Sequence, residues 1–374
     1  MTDTGPWSGT LDEGGLPREL PRTVEQFSFT GTAREYFGIW IVNVLLTIVT
    51  IGVYSAWAKV RRMRYFYGNT FLAGSSFDYH ARPVRILIGR IVVLIILGLY
   101  NLIANIYPPA AAILFVLFAF VLPFFVMRGL RFKARVTSFR NVRFDFHGGY
   151  WGAFKAYVVG SAITWMSLGV LAPIASRWMW TYLFNNTTYG GRPVTSDPAL
   201  RALYGQWLLP AAMVLGVVVL FGLSLFAVYP ALTALFEDAR SGTGDADSML
   251  GLLLTILSIA LLPIVILFIF AGLIYAAGAR NVAYNATLID GRHRLMSSIG
   301  RWRFVWINVS NLVATVATLG LARPWAAVRL AKFLAASTAL EVEGSLDGYI
   351  SRIEEAGPAV AAEYLDVEGF DFGF

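Results

Sequence analysis

Long apolar runs and short alternating stretches take turns along this chain. The runs at 86–107, 110–127, 206–236 and 249–277 each approach or exceed the roughly 20 apolar residues that cross a bilayer as a helix. The first two runs are joined by the turn Tyr107-Pro108-Pro109, the last two by the acidic stretch EDARSGTGDADS at 237–248. Between the runs, apolar and polar residues alternate at 27–30, 70–79, 136–146, 187–195, 281–298 and 339–343. A period of two predicts strands, and Gly74-Ser75, Gly190-Gly191 and Asp290-Gly291 predict the hairpin turns. These segments are too polar for lipid. Because lone hairpins are only marginally stable, they are expected to pair into a small cytoplasmic sheet layer.

A third pattern occurs three times, as TIGVYSAWA at 50–58, SLGVLAPIA at 167–175 and TLGLARPWA at 318–326. In each, a hydroxyl residue is followed two positions later by Gly52, Gly169 or Gly320, and then by Ser55, Pro173 or Pro324. Glycine accepts the left-handed conformation that ends a helix, and Ser or Pro starts the next. Each unit therefore predicts a helix a, a tight break and a helix b, at 35–49 and 55–67, 150–168 and 173–184, and 302–317 and 324–336. The matches extend well beyond the break at constant offsets. Thr47, Tyr65, Asn69 and Thr70 correspond to Thr164, Tyr182, Asn186 and Thr187. Asn43, Thr47, Trp57 and Arg61 correspond to Asn311, Thr315, Trp325 and Arg329. Long gapless matches indicate internal repetition. The predicted fold class is an α-helical polytopic membrane protein with three internal repeats, near 27–79, 144–195 and 294–346. Helical hairpins at 86–127 and 206–277 join them, within a membrane domain at 25–346.

The stretch 27–71, with Phe29, Gly31, Tyr36, Asn43, Leu46, Thr47, Gly52, Tyr54, Trp57, Arg64, Tyr65 and Thr70, resembles the YjgN-like family of bacterial inner-membrane proteins. It departs from that family's pattern at Ser55, where Pro is usual; Pro173 and Pro324 keep it in the other copies. The resemblance implies a place in the bacterial inner membrane and no particular activity.

Composition adds bounds. The chain is 57% hydrophobic and only 14% charged, against about 25% charged in soluble domains. It has no cysteine, which excludes disulfides and thiolate metal sites. His80, His147 and His293 are far apart in sequence and stand beside basic residues, which suits loops better than a metal centre. No cofactor is expected. The net charge of +7 is read as loops facing anionic lipid, with the phospholipid bilayer as partner and nucleic acid excluded. Residues 1–24 read as a disordered tail and 347–374 as an acidic one. If each helix a re-enters or lies in the interface, four segments span. All basic loops then share one side except Arg240, and both termini are cytoplasmic. If each helix a crosses, seven segments span and the positive charges divide poorly.

Candidate chemistry is sparse. No phosphate loop, hydrolytic triad or pair of carboxylates within the spans stands out, and no catalytic residue is assigned. Asn43, Thr47 and Thr50 share one helix face, as do Asn311, Thr315 and Thr318; Thr164 and Ser167 keep two of those positions. They would either bond helix to helix or line a polar pocket. Lys59, Arg61, Arg62, Arg64, Arg177, Arg329 and Lys332 on the basic helices b are candidates for lipid head groups. The expected function is therefore a non-enzymatic multi-pass inner-membrane protein, a small-solute transporter or channel. The alternative is a structural or lipid-interacting protein.

Overall fold

The computed structural model describes residues 21–240 and 246–344; the acidic tail, nearly all of the N-terminal tail and the middle of the acidic loop read from sequence lie outside the described residues. The expected small strand layer, and with it the reading of the chain as an α-helical polytopic membrane protein, is overturned. Among the described residues, eleven strands form one antiparallel sheet. They are β1 (Arg22–Gln26), β2 (Ser28–Phe29), β3 (Thr70–Leu72), β4 (Ser75–Tyr79), β5 (Thr137–Phe139) and β6 (Val142–Phe146). The others are β7 (Thr187–Tyr189), β8 (Arg192–Ser196), β9 (Thr287–Ile289), β10 (His293–Ser297) and β11 (Thr338–Glu343). From β2 to β11 each strand pairs with the next in chain order, and β11 pairs with β1, with Arg22 opposite Glu343. The two ends of the sheet, β1 and β2, are separated only by Phe27, whose N–H donates to Thr338 O at 3.1 Å. The sheet is thus a nearly closed barrel. Closure removes the unpaired edges that expose a sheet to wrong partners. β1 also begins inside the stretch read from sequence as a disordered tail.

Connections alternate between two kinds. β3–β4, β5–β6 and β7–β8 are joined by two-residue turns in which both residues have positive φ, such as Arg140 (48°) and Asn141 (64°) or Gly190 (54°) and Gly191 (75°), while β9–β10 has a third residue, Arg292, after Asp290 (54°) and Gly291 (66°). Such turns match the twist of paired strands. The other connections are helical. They are α1 (Ala33–Val49) with α2 (Ser55–Gly68), and α3 (Pro83–Ile106) with α4 (Pro108–Arg135). The third comprises α5 (Tyr150–Ala153), a π-helical stretch Phe154–Val159 and α6 (Gly160–Met166), followed by α7 (Ala172–Asn185). The last two are α8 (Leu200–Arg240) with α9 (Ala246–Asn285), and α10 (Arg301–Ala317) with α11 (Arg323–Ala336). Each leaves the barrel and returns to the same rim, and each helix packs on its successor until α11 meets α1, so the helices close a ring at that rim.

All five helical connections re-enter the barrel alike. Thr70, Thr137, Thr187, Thr287 and Thr338 each open a strand, and each Oγ1 donates to the carbonyl four residues earlier in the preceding helix, at 2.7–2.8 Å. The departing chain is fixed by close approach. A Cβ on Gly31 would lie 2.7 Å from the Phe29 ring, and one on Gly148 would lie 2.5 Å from Phe146. Above these glycines the hydroxyls of Tyr65 and Tyr182 donate to Thr32 O at 2.8 Å and Gly149 O at 3.0 Å. Burial, the leading cause in both, pushes these phenols up to about 12, so they remain proton donors.

Candidate functional site

Alternation along the strands sends one face inward. In β11, Thr338, Leu340 and Val342 are buried while Ala339, Glu341 and Glu343 are more exposed. Leu72, Phe139, Val142, Tyr189, Leu340 and Val342 form one buried cluster, with Phe27, Phe77, Phe144, Ile289 and Leu295 against it. These side chains leave a chamber of about 470 Å³ inside the barrel, within the roughly 300–1,000 Å³ of small-molecule pockets. Its floor comes from the helices: Phe184 of α7, Arg280 and Tyr284 of α9, and Ala331, Leu334 and Ala335 of α11. The wall is mainly aromatic and aliphatic, with Thr70, Thr187, Thr287 and Thr338 among its polar members, and among the described residues no carboxylate lines it.

One cation stands at that floor. The Arg280 guanidinium donates to Ser297 Oγ at 2.6 Å and Thr338 Oγ1 at 2.8 Å, and lies 4.0 Å from the centre of the Tyr284 ring. Buried His293 also lines the chamber, and its Nδ1 accepts the Glu343 N–H at 3.2 Å. An apolar room with an arginine on its floor accommodates a hydrocarbon chain carrying an anionic end.

The hydroxyl residues singled out from the sequence are engaged in their own backbone. Thr47 Oγ1 donates to Asn43 O at 2.6 Å, Thr164 to Gly160 O at 2.8 Å and Thr315 to Asn311 O at 2.6 Å. Thr50, Ser167 and Thr318 each accept, at 2.9 Å, the N–H four residues on, from Tyr54, Leu171 and Ala322, and so secure the start of helix b. Gly52, Gly169 and Gly320 have φ of 88°, 90° and 94°. Their N–H groups reach Thr47 O, Thr164 O and Thr315 O at 2.7 Å each, the six-to-one bond of a helix ending in a left-handed residue. Pro173 and Pro324 sit in the first turns of α7 and α11. The two amides differ. Asn311 donates to Ala326 O at 3.1 Å and accepts from Arg329 at 3.0 Å, whereas buried Asn43 Oδ1 has no hydrogen-bond partner.

The basic candidates divide similarly. Arg177 pairs with Asp197 at 2.7 Å, Arg329 bonds Ser310 and Asn311, and Arg64 reaches Tyr79 O at 3.4 Å. Arg62 lies over Phe66, while Lys59, Arg61 and Lys332 are exposed. The histidines are apart in the structure too: His80 bonds Ser138 Oγ at 2.8 Å and His147 meets Asp145 at 3.3 Å.

A family model described as "Bacterial protein of unknown function (DUF898)" matches residues 24–367. The chain belongs to the DUF898 family. It is similar to "Inner membrane protein YjgN" of Salmonella typhimurium, with 27% identity over 355 residues, covering 85% of this chain and 88% of the relative. It is also similar to the protein of that name from Escherichia coli K12, with 34% identity over 137 residues, covering 36% of this chain and 34% of the relative. No solved structure matches. The DUF898 match takes in nearly the whole barrel and all the helices, including residues the sequence reading passed over. Thr137 and Thr287 were visible as threonines opening strands after a helix, at the positions Thr70, Thr187 and Thr338 hold. For Arg280 no local signal existed, because its place on the chamber floor follows from barrel closure.

Proposed function

We propose that this DUF898 chain is a non-catalytic lipid-binding protein of the bacterial inner membrane, holding a single acyl chain in its barrel with the anionic end toward Arg280. The observation that carries this reading is the chamber of about 470 Å³ lined by aromatic and aliphatic side chains above one arginine. The relatives' printed name supports the membrane, as do four helices long and apolar enough to cross one: Pro83–Ile106, Pro108–Arg135, Leu200–Leu223 and Val265–Asn285. The tips of the three broken pairs support it too, since Ile51, Leu168 and Leu319 are almost fully exposed. Such tips suit lipid and not water. In this reading α3–α4 and α8–α9 span, the broken pairs dip in and return, and the barrel stands in the cytoplasm. The three matched units descend from one repeated segment.

Binding is favoured over transport because the hydroxyls that would line a polar path bond to their own helices. The test is native mass spectrometry of the purified full chain with hexadecanoate. Wild type should bind one molecule, Val194→Trp should fill the chamber and abolish binding, and Arg280→Gln should weaken it. Solute flux through liposomes that hexadecanoate does not affect, together with no acyl binding, would replace this reading with a transport one.

A further inference from the structure

A second site lies away from the barrel chamber and does not depend on it. Where α2, α3 and α4 meet, Val60, Ile86 and Phe132 belong to one buried cluster, with Trp57 and Leu87 packed against it. Three cations flank that contact: Lys59 just before Val60, Lys133 just after Phe132, and Arg90 one turn beyond Ile86. Arg90 is half-buried and lies within the apolar helix Pro83–Ile106. An ionised side chain in a spanning segment is costly to place there, and it ordinarily has an opposite charge or a polar path to meet. The partner the structure gives Arg90 is neutral, a hydrogen bond to Ser55 Oγ. Among the described residues no carboxylate forms an ion pair with any of the three. Burial by the protein first, then the neighbouring charges of Arg90 and Lys133, hold the Lys59 ammonium below its ordinary pKa.

The fold does not require these charges. At the corresponding junction of α7 with α8 and α9, Ser176 holds the position of Lys59, and it is met by the Tyr275 hydroxyl at 2.9 Å. At that position the contact is between two neutral hydroxyls. The first junction holds three positive charges with which no carboxylate pairs among the described residues, next to the N-terminal end of an apolar helix long enough to cross a membrane.

We propose that Lys59, Arg90 and Lys133, together with the Ser55 hydroxyl, bind a phosphate group, that of an anionic membrane phospholipid. Arginine and lysine bind phosphate oxygens through charge-assisted hydrogen bonds, and Ser55 orients the Arg90 fork. The chemistry shared with free phosphate is the phosphate oxygens. The lipid is the source favoured by Arg90's place in an apolar helix.

The test is native mass spectrometry of the full chain in detergent, titrated separately with phosphatidylglycerol, phosphatidylcholine and inorganic phosphate. Wild type should prefer phosphatidylglycerol. Arg90→Gln should weaken it roughly ten- to hundredfold, the loss of one hydrogen bond to a charged group, and Arg90→Lys should lose less. Arg292→Gln, at an exposed position in the turn between β9 and β10, should change nothing. If Arg90→Gln fails to fold, the double variant Lys59→Gln/Lys133→Gln, at two exposed positions, carries the test. Binding of inorganic phosphate with the same variant profile but no lipid preference would support the phosphate site and overturn its lipid source. Phosphatidylglycerol binding that neither Arg90→Gln nor the double variant weakens would overturn the site.

Discussion

The barrel wall and the long helices distribute polarity in opposite ways. In the barrel, Phe139, Leu340 and Val342 are buried inside, while Arg143, Arg294 and Glu341 alternate with them on the outside. In the middle of α3 and α4 the exposed side chains include Leu94, Ile95, Leu99, Phe115 and Val116. Water rewards the first arrangement and lipid the second. On the proposed reading, one chain builds two parts for two solvents, and the rim where the five threonines open their strands is the boundary between them. The broken pairs share that rim but turn back early, and the turn is secured inside each pair by hydroxyl and backbone bonds.

One charge placed at three depths tests this contrast most severely. Leu340→Lys puts an unpaired ammonium in the apolar barrel and should cost at least about 3 kcal/mol, a large share of a typical domain's stability. Thermal unfolding of detergent-purified protein should show a marked drop, or no folded protein. Leu94→Lys on the outer face of α3 should cost about 2.5–3.5 kcal/mol, but only on insertion. It should lower the amount in the membrane fraction while leaving unfolding in detergent nearly unchanged. Val24→Lys on the outer wall, where the paired residue is Glu341, should change stability by no more than about 0.5 kcal/mol. Equal damage from Leu340→Lys and Val24→Lys would mean that the barrel does not separate inside from outside.

These assignments were unequally legible in the sequence. The spans are local, so hydropathy found α3 to within a turn at both ends; α4 and α9 run about two turns further, to Arg135 and Asn285, into residues that alternate like strands, and α8 begins at Leu200, before the apolar run at 206. The breaks at Gly52, Gly169 and Gly320 are local as well, and repeat spacing located them. The barrel is not local. Its strands have two to six residues, most hairpin partners are separated from the next hairpin by a helical pair, and the seam joins Arg22 to Glu343 across 321 positions. Alternation could show strands, but not that they close on themselves. The candidate pocket of hydroxyls was misleading for a different reason. Spacing puts Thr47 and Thr50 on one face, yet a helical threonine can turn its hydroxyl back to the carbonyl four residues earlier, and here it does.

The junction between the two solvents should be the next most sensitive place. Gly148→Ala would bring a Cβ to 2.5 Å from the Phe146 ring and 2.6 Å from the Tyr182 hydroxyl. Overpacking of this kind typically costs about 1–3 kcal/mol. Gly98→Ala, where no atom lies within 4 Å of the new Cβ, should be neutral or gain up to about 1 kcal/mol of helix propensity. Thermal unfolding of the two variants side by side checks the difference. Within a broken pair the effect should be smaller. Thr318→Ala removes the oxygen that accepts the Ala322 N–H and should cost about 1 kcal/mol, the usual worth of a helix cap. A fall of several kcal/mol would show that Thr318 does more than hold the turn.

The smallest expected effect is a pH dependence at the same junction, and its sign follows from the contacts. Glu35, in the first turn of α1, accepts the Thr32 N–H at 3.3 Å and shares with Thr32 O the proton of the Tyr65 hydroxyl, which lies 3.2 Å from it, while Thr32 Oγ1 accepts the Glu35 N–H at 3.3 Å. This is a reciprocal cap, and the ionised carboxylate is the form that accepts both bonds. The Thr32 backbone bond first, then the Thr32 and Tyr65 side chains, hold the Glu35 pKa below its ordinary 4.5. A group whose folded pKa is depressed binds its proton more weakly folded than unfolded. Its contribution is therefore complete above 4.5, shrinks as pH falls toward the lowered folded value, and is gone below it. Glu35→Gln keeps the shape of the cap and removes the titration. Wild type and Glu35→Gln should thus converge in unfolding temperature as pH falls below 4.5, with wild type slightly ahead near neutrality. Curves that stay parallel through that range would mean that the Glu35 charge does not help fix α1 to the rim.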